Sequence, residues 1–177
     1  MYQVRRLVFS ITLLSALILM GCQVQPVETY YRGYKSVNES ARPLVQGESQ
    51  VGQWQTFDML VDYKAQIGPD DLAISGTAKL GQYYLMNTIR LKNLDVYLFF
   101  LDKDSKVLKT VELSDGLTSL PEEVVAFNQR VKLPDAATAF AFGYRGAAYQ
   151  EADGEDGDSK SVGGGVDIFD NLPHRDG

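Results

Sequence analysis

Apolar and polar residues alternate along much of this chain, with the period of two that is typical of a β-strand. The first such run covers residues 54–63 and predicts a strand. One face of this strand carries Phe57, Met59, Val61 and Tyr63. The other face carries Trp54, Thr56, Asp58, Leu60 and Asp62. The first face is the more apolar, so it is predicted to point into a core.

Further runs follow at short spacing, and turn-forming residues separate them. They cover residues 72–80, 83–91, 94–101, 107–113, 123–131 and 138–149. The strand at 94–101 is apolar on both faces, which predicts a place in the middle of a sheet or under a covering partner. The last strand has an aromatic face with Phe140, Phe142 and Tyr144 and a small face with Ala139, Ala141 and Gly143. Its aromatic face is predicted to pack, and its small face to admit another layer closely.

Six or seven short strands without an amphipathic helix of useful length predict an all-β fold, an antiparallel immunoglobulin-like β-sandwich over residues 51–149. Its single core is predicted to contain Phe57, Leu98, Phe100, Phe127, Phe140 and Phe142. Residues 93–108, with the sequence Phe99-Phe100-Leu101-Asp102, resemble the FxLYD-type immunoglobulin-like domains of bacterial exported proteins. The resemblance can be followed over residues 72–146 and implies the same sandwich.

The amino-terminal segment has the pattern of a secretion signal. Arg5 and Arg6 precede an apolar run of fourteen residues at 7–20, interrupted only by serine and threonine, and Gly21 then precedes the only cysteine, Cys22. The run is shorter than the roughly 18 apolar residues that an uncleaved membrane anchor needs. A buried core helix is the other alternative, and the two arginines and the polar Gln23 argue against it. Residues 1–21 are therefore predicted to be a cleaved signal peptide.

The end of this segment resembles the lipobox of bacterial lipoproteins, in which an aliphatic residue, a tolerant position and a small residue precede cysteine. Here these are Leu19, Met20, Gly21 and Cys22. The resemblance implies cleavage between Gly21 and Cys22, a diacylglyceryl group on the Cys22 sulfur and an acyl chain on the new amino terminus. Two or three acyl chains hold a protein stably on a membrane. Gln23 in place of aspartate implies delivery to the outer membrane of a Gram-negative cell.

Residues 22–50 contain prolines, glycines and polar residues without a sustained period, and they predict a flexible lipidated tether. As a coil, this tether would have an r.m.s. span of about 30 Å. Its unusual feature is the group Tyr30, Tyr31 and Tyr34. These tyrosines suit an aromatic belt at a membrane interface or a contact for glycan, but a tether that merely carries tyrosines, or one that packs against the chain's own domain, is favoured.

Residues 150–177 are acidic and rich in glycine, which predicts a disordered tail. Asp153, Asp156 and Asp158 lack a regular metal-ligand pattern, so a solvated acidic segment is favoured over a cation site. A small apolar island follows, with Val166, Ile168, Phe169 and Leu172. The island could dock on a sheet edge of its own domain, add a strand to a partner, or have no role.

Charge and cysteine content narrow the functional classes. The chain has a net charge of −6, and loss of Arg5 and Arg6 with the signal leaves 15 basic residues against 23 acidic ones, a net charge of −8. This balance argues against nucleic acid and against electrostatic attraction to anionic lipid. Without a second cysteine, no intramolecular disulfide can form. The domain is therefore predicted to depend on its core for stability.

The sequence predicts no catalytic, cofactor or metal site. The only histidine, His174, falls in the predicted tail, and Cys22 is assigned to lipid. Asp102 and Asp104 are spaced like the start of a calcium loop, but the later ligands and the glycine are missing, so a hairpin turn is favoured. Asp58 and Asp62 share a predicted strand face about 13 Å apart, which favours solvated surface over the two carboxylates of a glycosidase.

These features together predict a non-catalytic, membrane-anchored lipoprotein of the cell envelope whose β-sandwich binds a protein or an envelope component. Two alternatives remain open. One is a structural or assembly subunit of an envelope complex that uses the carboxy-terminal tail. The other is a hydrolase of envelope polymer, which would need acids clustered in a cleft.

Overall fold

The computed structural model describes residues 26–36, 41–86, 89–114, 124–150, 166–170 and 172–175. In this part of the chain, regular structure is almost entirely β. The strands are β1 (Arg42–Pro43), β2 (Ser49–Gln55), β3 (Met59–Ile67), β4 (Asp71–Leu80), β5 (Ile89–Leu101), β6 (Val107–Glu112), β7 (Val124–Lys132), β8 (Ala139–Gln150) and β9 (Val166–Asp170). A short helix, α1 (Gln82–Met86), and a 3₁₀ turn at Val27–Thr29 complete the elements.

The strands form two antiparallel sheets that pack face to face. Sheet A has the order β1-β8-β5-β6, with β9 also paired to β8, and sheet B has the order β2-β3-β4-β7. Of the seven strands from β3 to β9, sheet B contains β3, β4 and β7, and sheet A contains β5, β6, β8 and β9. This is an immunoglobulin-like Greek-key arrangement, and the predicted all-β antiparallel sandwich is confirmed.

The main core lies between the two sheets and is rich in aromatic residues. Trp54 of β2 stacks on Phe142 of β8 with 5.7 Å between ring centroids, and Tyr63 of β3 lies 5.0 Å from the same ring. Five of the six residues predicted for the core are buried there: Leu98, Phe100, Phe127, Phe140 and Phe142. The alternation therefore predicted the inward faces of these strands correctly.

Phe57 is the exception, and the prediction of one continuous strand over residues 54–63 is wrong. The chain turns at residues 56–58, between β2 and β3, and leaves the Phe57 side chain 69% exposed. The turn also changes the phase of the alternation, so Trp54 joins Met59 in the core instead of lying on the opposite face. Thr56 stabilises the turn, because its Oγ1 accepts a hydrogen bond from the Met59 N–H at 3.1 Å.

A second, smaller core covers the outer face of sheet A. Tyr97, Phe99 and Leu101 of β5 point outward but are buried. Val27, Tyr31 and Leu172 are among the residues packed on them from outside the sheet. Tyr31 meets Phe99 edge to face with 5.7 Å between ring centroids. The strand that is apolar on both faces is thus covered by two other segments of the same chain.

The predicted flexible tether is therefore wrong for much of residues 22–50. Residues 26–36 lie along β6, where the Gly33 N–H bonds to the Val107 carbonyl and the Val107 N–H to the Tyr34 carbonyl, both at 2.8 Å. β1 pairs with β8, and β2 begins within the predicted tether. The physical reason is burial, because these residues remove the apolar outer face of sheet A from water. Of the alternatives given for the tyrosines, packing on the chain's own domain is correct for Tyr31, which contacts Phe99.

The prediction of disorder over residues 150–177 is also wrong for the apolar island. Residues 166–170 form β9, which pairs with residues 144–148 of β8, and Ile168 is buried. Beyond it, His174 exchanges two backbone hydrogen bonds with Lys35, at 2.9 and 3.0 Å. Docking on an edge of its own sheet is thus the correct alternative for the island. Asp153, Asp156 and Asp158 lie outside the described residues.

The turn at residues 102–106 is the predicted hairpin between β5 and β6. Asp102 Oδ1 accepts hydrogen bonds from the N–H groups of Asp104 and Lys106, at 2.8 and 2.9 Å. The carboxylate therefore caps the turn, which accounts for the aspartate without a bound cation.

Candidate functional site

Two connections meet at one end of the sandwich and form the candidate site. One is the β2–β3 turn at residues 56–58, and the other is the connection after β4 that contains α1. The Gly81 N–H donates to the Asp58 carbonyl at 2.6 Å. A Cβ atom at position 81 would lie 2.7 Å from the Phe57 carbonyl oxygen, so only glycine allows this close approach.

Asp58 is the centre of a hydrogen-bond network beneath this surface. Its carboxylate accepts one bond from the Tyr84 hydroxyl at 2.5 Å and another from the Tyr144 hydroxyl at 2.9 Å. Thr56 Oγ1 lies 3.0 Å from the Tyr144 oxygen and completes the network. The network connects the turn to α1 and to β8, so it holds both connections on the sandwich.

The environment of the two tyrosines keeps them protonated. Burial, reinforced by the hydrogen bond to Asp58 and by its negative charge, raises the pKa of Tyr84 to about 12. Burial is also the main cause that raises the pKa of Tyr144, and the Asp58 carboxylate adds to it. Both phenols are therefore hydrogen-bond donors at neutral pH.

Three large side chains project from this support into solvent. Phe57 is 69% exposed, Tyr83 is 56% exposed and Met86 is 75% exposed. The Phe57 ring lies 5.3 Å from Tyr83 and 6.1 Å from Tyr84, measured between centroids. We call Phe57, Tyr83 and Met86 the aromatic patch. Its members come from two connections that the Asp58 network holds together.

The chemistry of the aromatic patch suits contact more than reaction. Its side chains offer two aromatic faces, a thioether and one phenol, which are groups that fill apolar pockets on a partner. The two neighbouring phenols with raised pKa values are poor proton acceptors at neutral pH. Among the residues that the structure describes, no group of three or more His, Cys, Asp or Glu is placed to hold a metal ion.

A second polar feature lies on the outer face of sheet A, beside β9. Arg145 Nη2 is 3.3 Å from Asp95 Oδ2, and it donates to the Tyr97 hydroxyl at 3.4 Å. Burial is the main cause that raises the pKa of Tyr97, and the Asp95 charge adds to it while Arg145 opposes it. Asp95 and Arg145 line a cleft of about 500 Å³ that is also lined by Phe169. The ion pair satisfies its own charges, so we assign it a structural role.

Cys22 and Gly21, the predicted sites of lipidation and cleavage, lie outside the described residues, as does the rest of the predicted signal. In the described part of the chain, no helix has the length and apolar character needed to cross a membrane. Asp58 and Asp62, which the sequence placed on one strand face, are separated by the turn. Asp58 enters the network, whereas Asp62 accepts a bond from Gln53 Nε2 at 2.7 Å on the surface of sheet B.

Sequence reasoning missed the aromatic patch. Phe57 looks like a core residue because it falls in phase with Met59 and Val61. Tyr83 falls in the strand predicted over residues 83–91, which is wrong at its start, because the structure has α1 there and β5 begins only at Ile89. The available signal was Thr56-Phe57-Asp58, in which two residues that favour turns flank one aromatic residue.

Removing the Asp58 carboxylate is expected to destabilise the fold. Asp58→Ala leaves the Tyr84 phenol without its acceptor and the Tyr144 phenol with Thr56 Oγ1 alone, and a buried group that loses its partner costs roughly 1–3 kcal/mol. We expect the free energy of unfolding to fall by about 2–4 kcal/mol in urea titrations of the full chain. Asp62→Ala is the control, and a loss of under about 0.5 kcal/mol is expected there because that carboxylate is on the surface. Equal losses in the two variants would contradict this role for Asp58.

The raised pKa of Tyr84 predicts a dependence of stability on alkaline pH. The fold favours the neutral phenol, whose pKa is about 10 in an unfolded chain and about 12 here. This stabilisation is complete below pH 10 and is lost as the pH rises from about 10 towards 12. Between pH 9 and pH 11.5, wild type should therefore lose more free energy of unfolding than Tyr84→Phe. Parallel pH profiles would refute the prediction.

Comparisons with known proteins identify no relative of this chain. No protein-family model, no curated protein and no solved structure matches it. Its function is therefore argued from its own residues and from the geometry of the aromatic patch.

Proposed function

We propose that this chain is a non-catalytic lipoprotein of the cell envelope, anchored through lipid on Cys22, and that its β-sandwich binds a protein or an envelope component through the aromatic patch. The anchor comprises a diacylglyceryl group on the Cys22 sulfur and an acyl chain on its amino group. With Gln23 after the cysteine, the expected location is the outer membrane. The partner is neither a nucleic acid nor a small-molecule cofactor.

The anchor is supported by the amino-terminal sequence. Two arginines, an apolar run too short to remain as a transmembrane helix, and the Leu19–Cys22 tetrapeptide occur in the order that lipoprotein processing requires. Lipidation also accounts for a lone cysteine in an exported protein.

The observation that carries the binding function is the exposure of the aromatic patch. Phe57, Tyr83 and Met86 are each more than half exposed and lie on neighbouring connections at one end of the sandwich. Aromatic side chains are enriched among the residues that dominate binding energy at protein interfaces. The Asp58 network orders the patch before binding, which reduces the entropy lost when a partner docks.

The docked amino-terminal segment supports a position of the sandwich near the bilayer. Residue 26 is the first described residue, and it belongs to the segment that packs along β6. A chain of four residues spans at most about 14 Å when fully extended, and this is the longest reach available between Pro26 and a lipid on Cys22. A lipid on Cys22 would therefore hold the sandwich close to the membrane surface. The partner is expected among components of that surface.

Crosslinking in intact cells tests the binding function. The full-length wild type is compared with Phe57→Ser/Met86→Ser, after treatment with an amine-reactive crosslinker and mass spectrometry of the membrane fraction. Wild type should yield reproducible crosslinked partners, and the double variant should lose at least tenfold of that signal. Phe169→Ser, at a 64% exposed position on β9, is the matched control and should retain it.

If the double variant kept the same partners at the same yield, the patch would not be the binding surface. If wild type yielded no reproducible partner, the binding function itself would be refuted.

A further inference from the structure

The outer edge of β2 has backbone groups that no other described strand uses. The Ile67 N–H bonds to the Glu48 carbonyl and the Thr56 N–H to the Met59 carbonyl. Hydrogen-bonded pairs recur at every second residue of an antiparallel ladder, so even-numbered residues of β2 point their N–H and C=O groups at β3. The groups of the odd-numbered residues point away from the sheet. These residues are Ser49, Val51, Gln53 and Gln55.

The two edges of sheet B differ in how they are protected. Edge strands of natural proteins are commonly blunted by charged side chains or proline. β7, at one edge, carries Arg130 and Lys132, whereas β2 contains no charged residue and no proline. The outward side chain of Val51 is 75% exposed. β2 is thus the edge of sheet B that is suited to pairing with another strand.

We propose that β2 pairs antiparallel with β2 of a second copy of this chain, about a two-fold axis at Gly52. Such an interface is isologous and continues sheet B through both copies. Ser49 then pairs with Gln55 of the second copy, and Val51 with Gln53 of the second copy. Odd-numbered residues of one copy then lie opposite odd-numbered residues of the other. The outward-pointing backbone groups of all four residues therefore become hydrogen bonded.

Glycine suits the position on the axis. The two Gly52 residues form a close pair without hydrogen bonds, in which the Cα atoms lie about 4.5 Å apart. Within each copy, a Cβ atom at this position would lie 2.6 Å from the Tyr63 hydroxyl, so the inner face at Gly52 is filled by that ring. Because glycine has no side chain, the two backbones can approach each other closely at the axis.

The charges on β3 fit this register better than its neighbours. Lys64 lies beside Val51, and Asp62 lies beside Gln53. With the axis at Gly52, each row across the joined sheets runs from Lys64 of one copy to Asp62 of the other, with about 14 Å between backbones. An axis at Val51 would align Lys64 with Lys64, and an axis at Gln53 would align Asp62 with Asp62. The register with its axis at Gly52 therefore pairs all four outward-facing residues and aligns Lys64 of one copy with Asp62 of the other.

The oligomeric state tests this pairing independently of the anchor and of the aromatic patch. Sedimentation equilibrium of the full-length mature protein in detergent should show a dimer for wild type. Val51→Lys adds a charge to the edge without entering the core and should raise the dimer dissociation constant at least tenfold. Asn128→Lys adds the same charge at an exposed position on β7, and its dissociation constant should match that of wild type. A monomeric wild type, or a Val51→Lys dimer as tight as wild type, would overturn the proposal.

Cysteine pairing tests the register. Two full-length versions, Val51→Cys and Gln53→Cys, are co-expressed with different tags in a Cys22→Ser background. Opposite residues in a hydrogen-bonded pair have Cα atoms about 5.5 Å apart, within the range that a disulfide spans. Mild oxidation should yield the mixed disulfide in excess over either homodimer. A predominant Val51→Cys homodimer, or no disulfide at all, would refute the Gly52-centred register.

Discussion

Replacing Phe142 with alanine is expected to lower the free energy of unfolding by about 3–5 kcal/mol, whereas Phe57→Ala should lower it by less than about 0.5 kcal/mol. The two residues look alike in the sequence, since both are phenylalanines in an alternating run. Phe142 is buried between the sheets, where it contacts Trp54 and Tyr63. Truncation there leaves a cavity that aromatic neighbours cannot readily fill. Phe57 already faces solvent, so its truncation leaves none.

Urea titration of the two full-length variants measures this difference. Phe57→Ala should unfold close to the wild-type midpoint, and Phe142→Ala at a much lower urea concentration with a similar slope. Equal destabilisation of the two variants would contradict the turn at residues 56–58 and return Phe57 to the core. Phe57→Ala also separates the two roles, because it should weaken partner binding while leaving the fold intact.

Replacing Cys22 with serine is expected to abolish the lipid-dependent retention of the protein on the membrane. Under the proposed function, serine cannot accept the diacylglyceryl group through a thioether, so neither lipidation nor the cleavage that depends on it takes place. Two or three acyl chains supply the stable anchoring, since each buried methylene contributes roughly 0.8 kcal/mol. After cell fractionation and washing of membranes with high salt, wild type should remain in the membrane fraction.

The Cys22→Ser variant keeps its signal segment, and the apolar run of that segment could itself hold the precursor on a membrane. A second variant therefore carries Cys22→Ala behind a signal peptide that is cleaved without lipidation. This variant should be recovered in the soluble periplasmic fraction. Sedimentation of both variants with the membranes at wild-type levels would contradict lipid anchoring.

The sequence predicted most strands of the sandwich because their periodicity is regular. Residues 72–80 and 138–149 fall within one residue of β4 and β8. The alternation extends along each strand without interruption, and turn-forming residues mark its ends. The strand that is apolar on both faces, now β5, lies in the middle of sheet A, as the pattern predicts, and under a cover whose residues the pattern does not identify.

The docked termini were harder to predict. Residues 26–36 and 172–175 lack periodicity, and their order comes from contacts with strands far away in the sequence. Tyr31 reaches Phe99, and the Arg175 Nε–H donates to the Tyr34 hydroxyl at 2.7 Å. Composition predicts disorder for such segments, because it contains no information on an apolar surface formed elsewhere in the chain.

The aromatic patch was missed for the opposite reason. Phe57 continues a regular pattern, and only the turn in which Thr56 caps Met59 takes its side chain out of the core. The Asp58 network depends on residues from three separate elements, and no local pattern relates Asp58 to Tyr144. Long-range hydrogen bonds of this kind become visible only in the folded chain.

Intact-mass spectrometry of the protein extracted from membranes tests the anchor on which the proposed function depends. The account predicts a chain that begins at Cys22, lacks residues 1–21 and carries the added mass of a diacylglyceryl group and an amide-linked acyl chain. A membrane-extracted chain that begins elsewhere, or that has an unmodified thiol at Cys22, would contradict it.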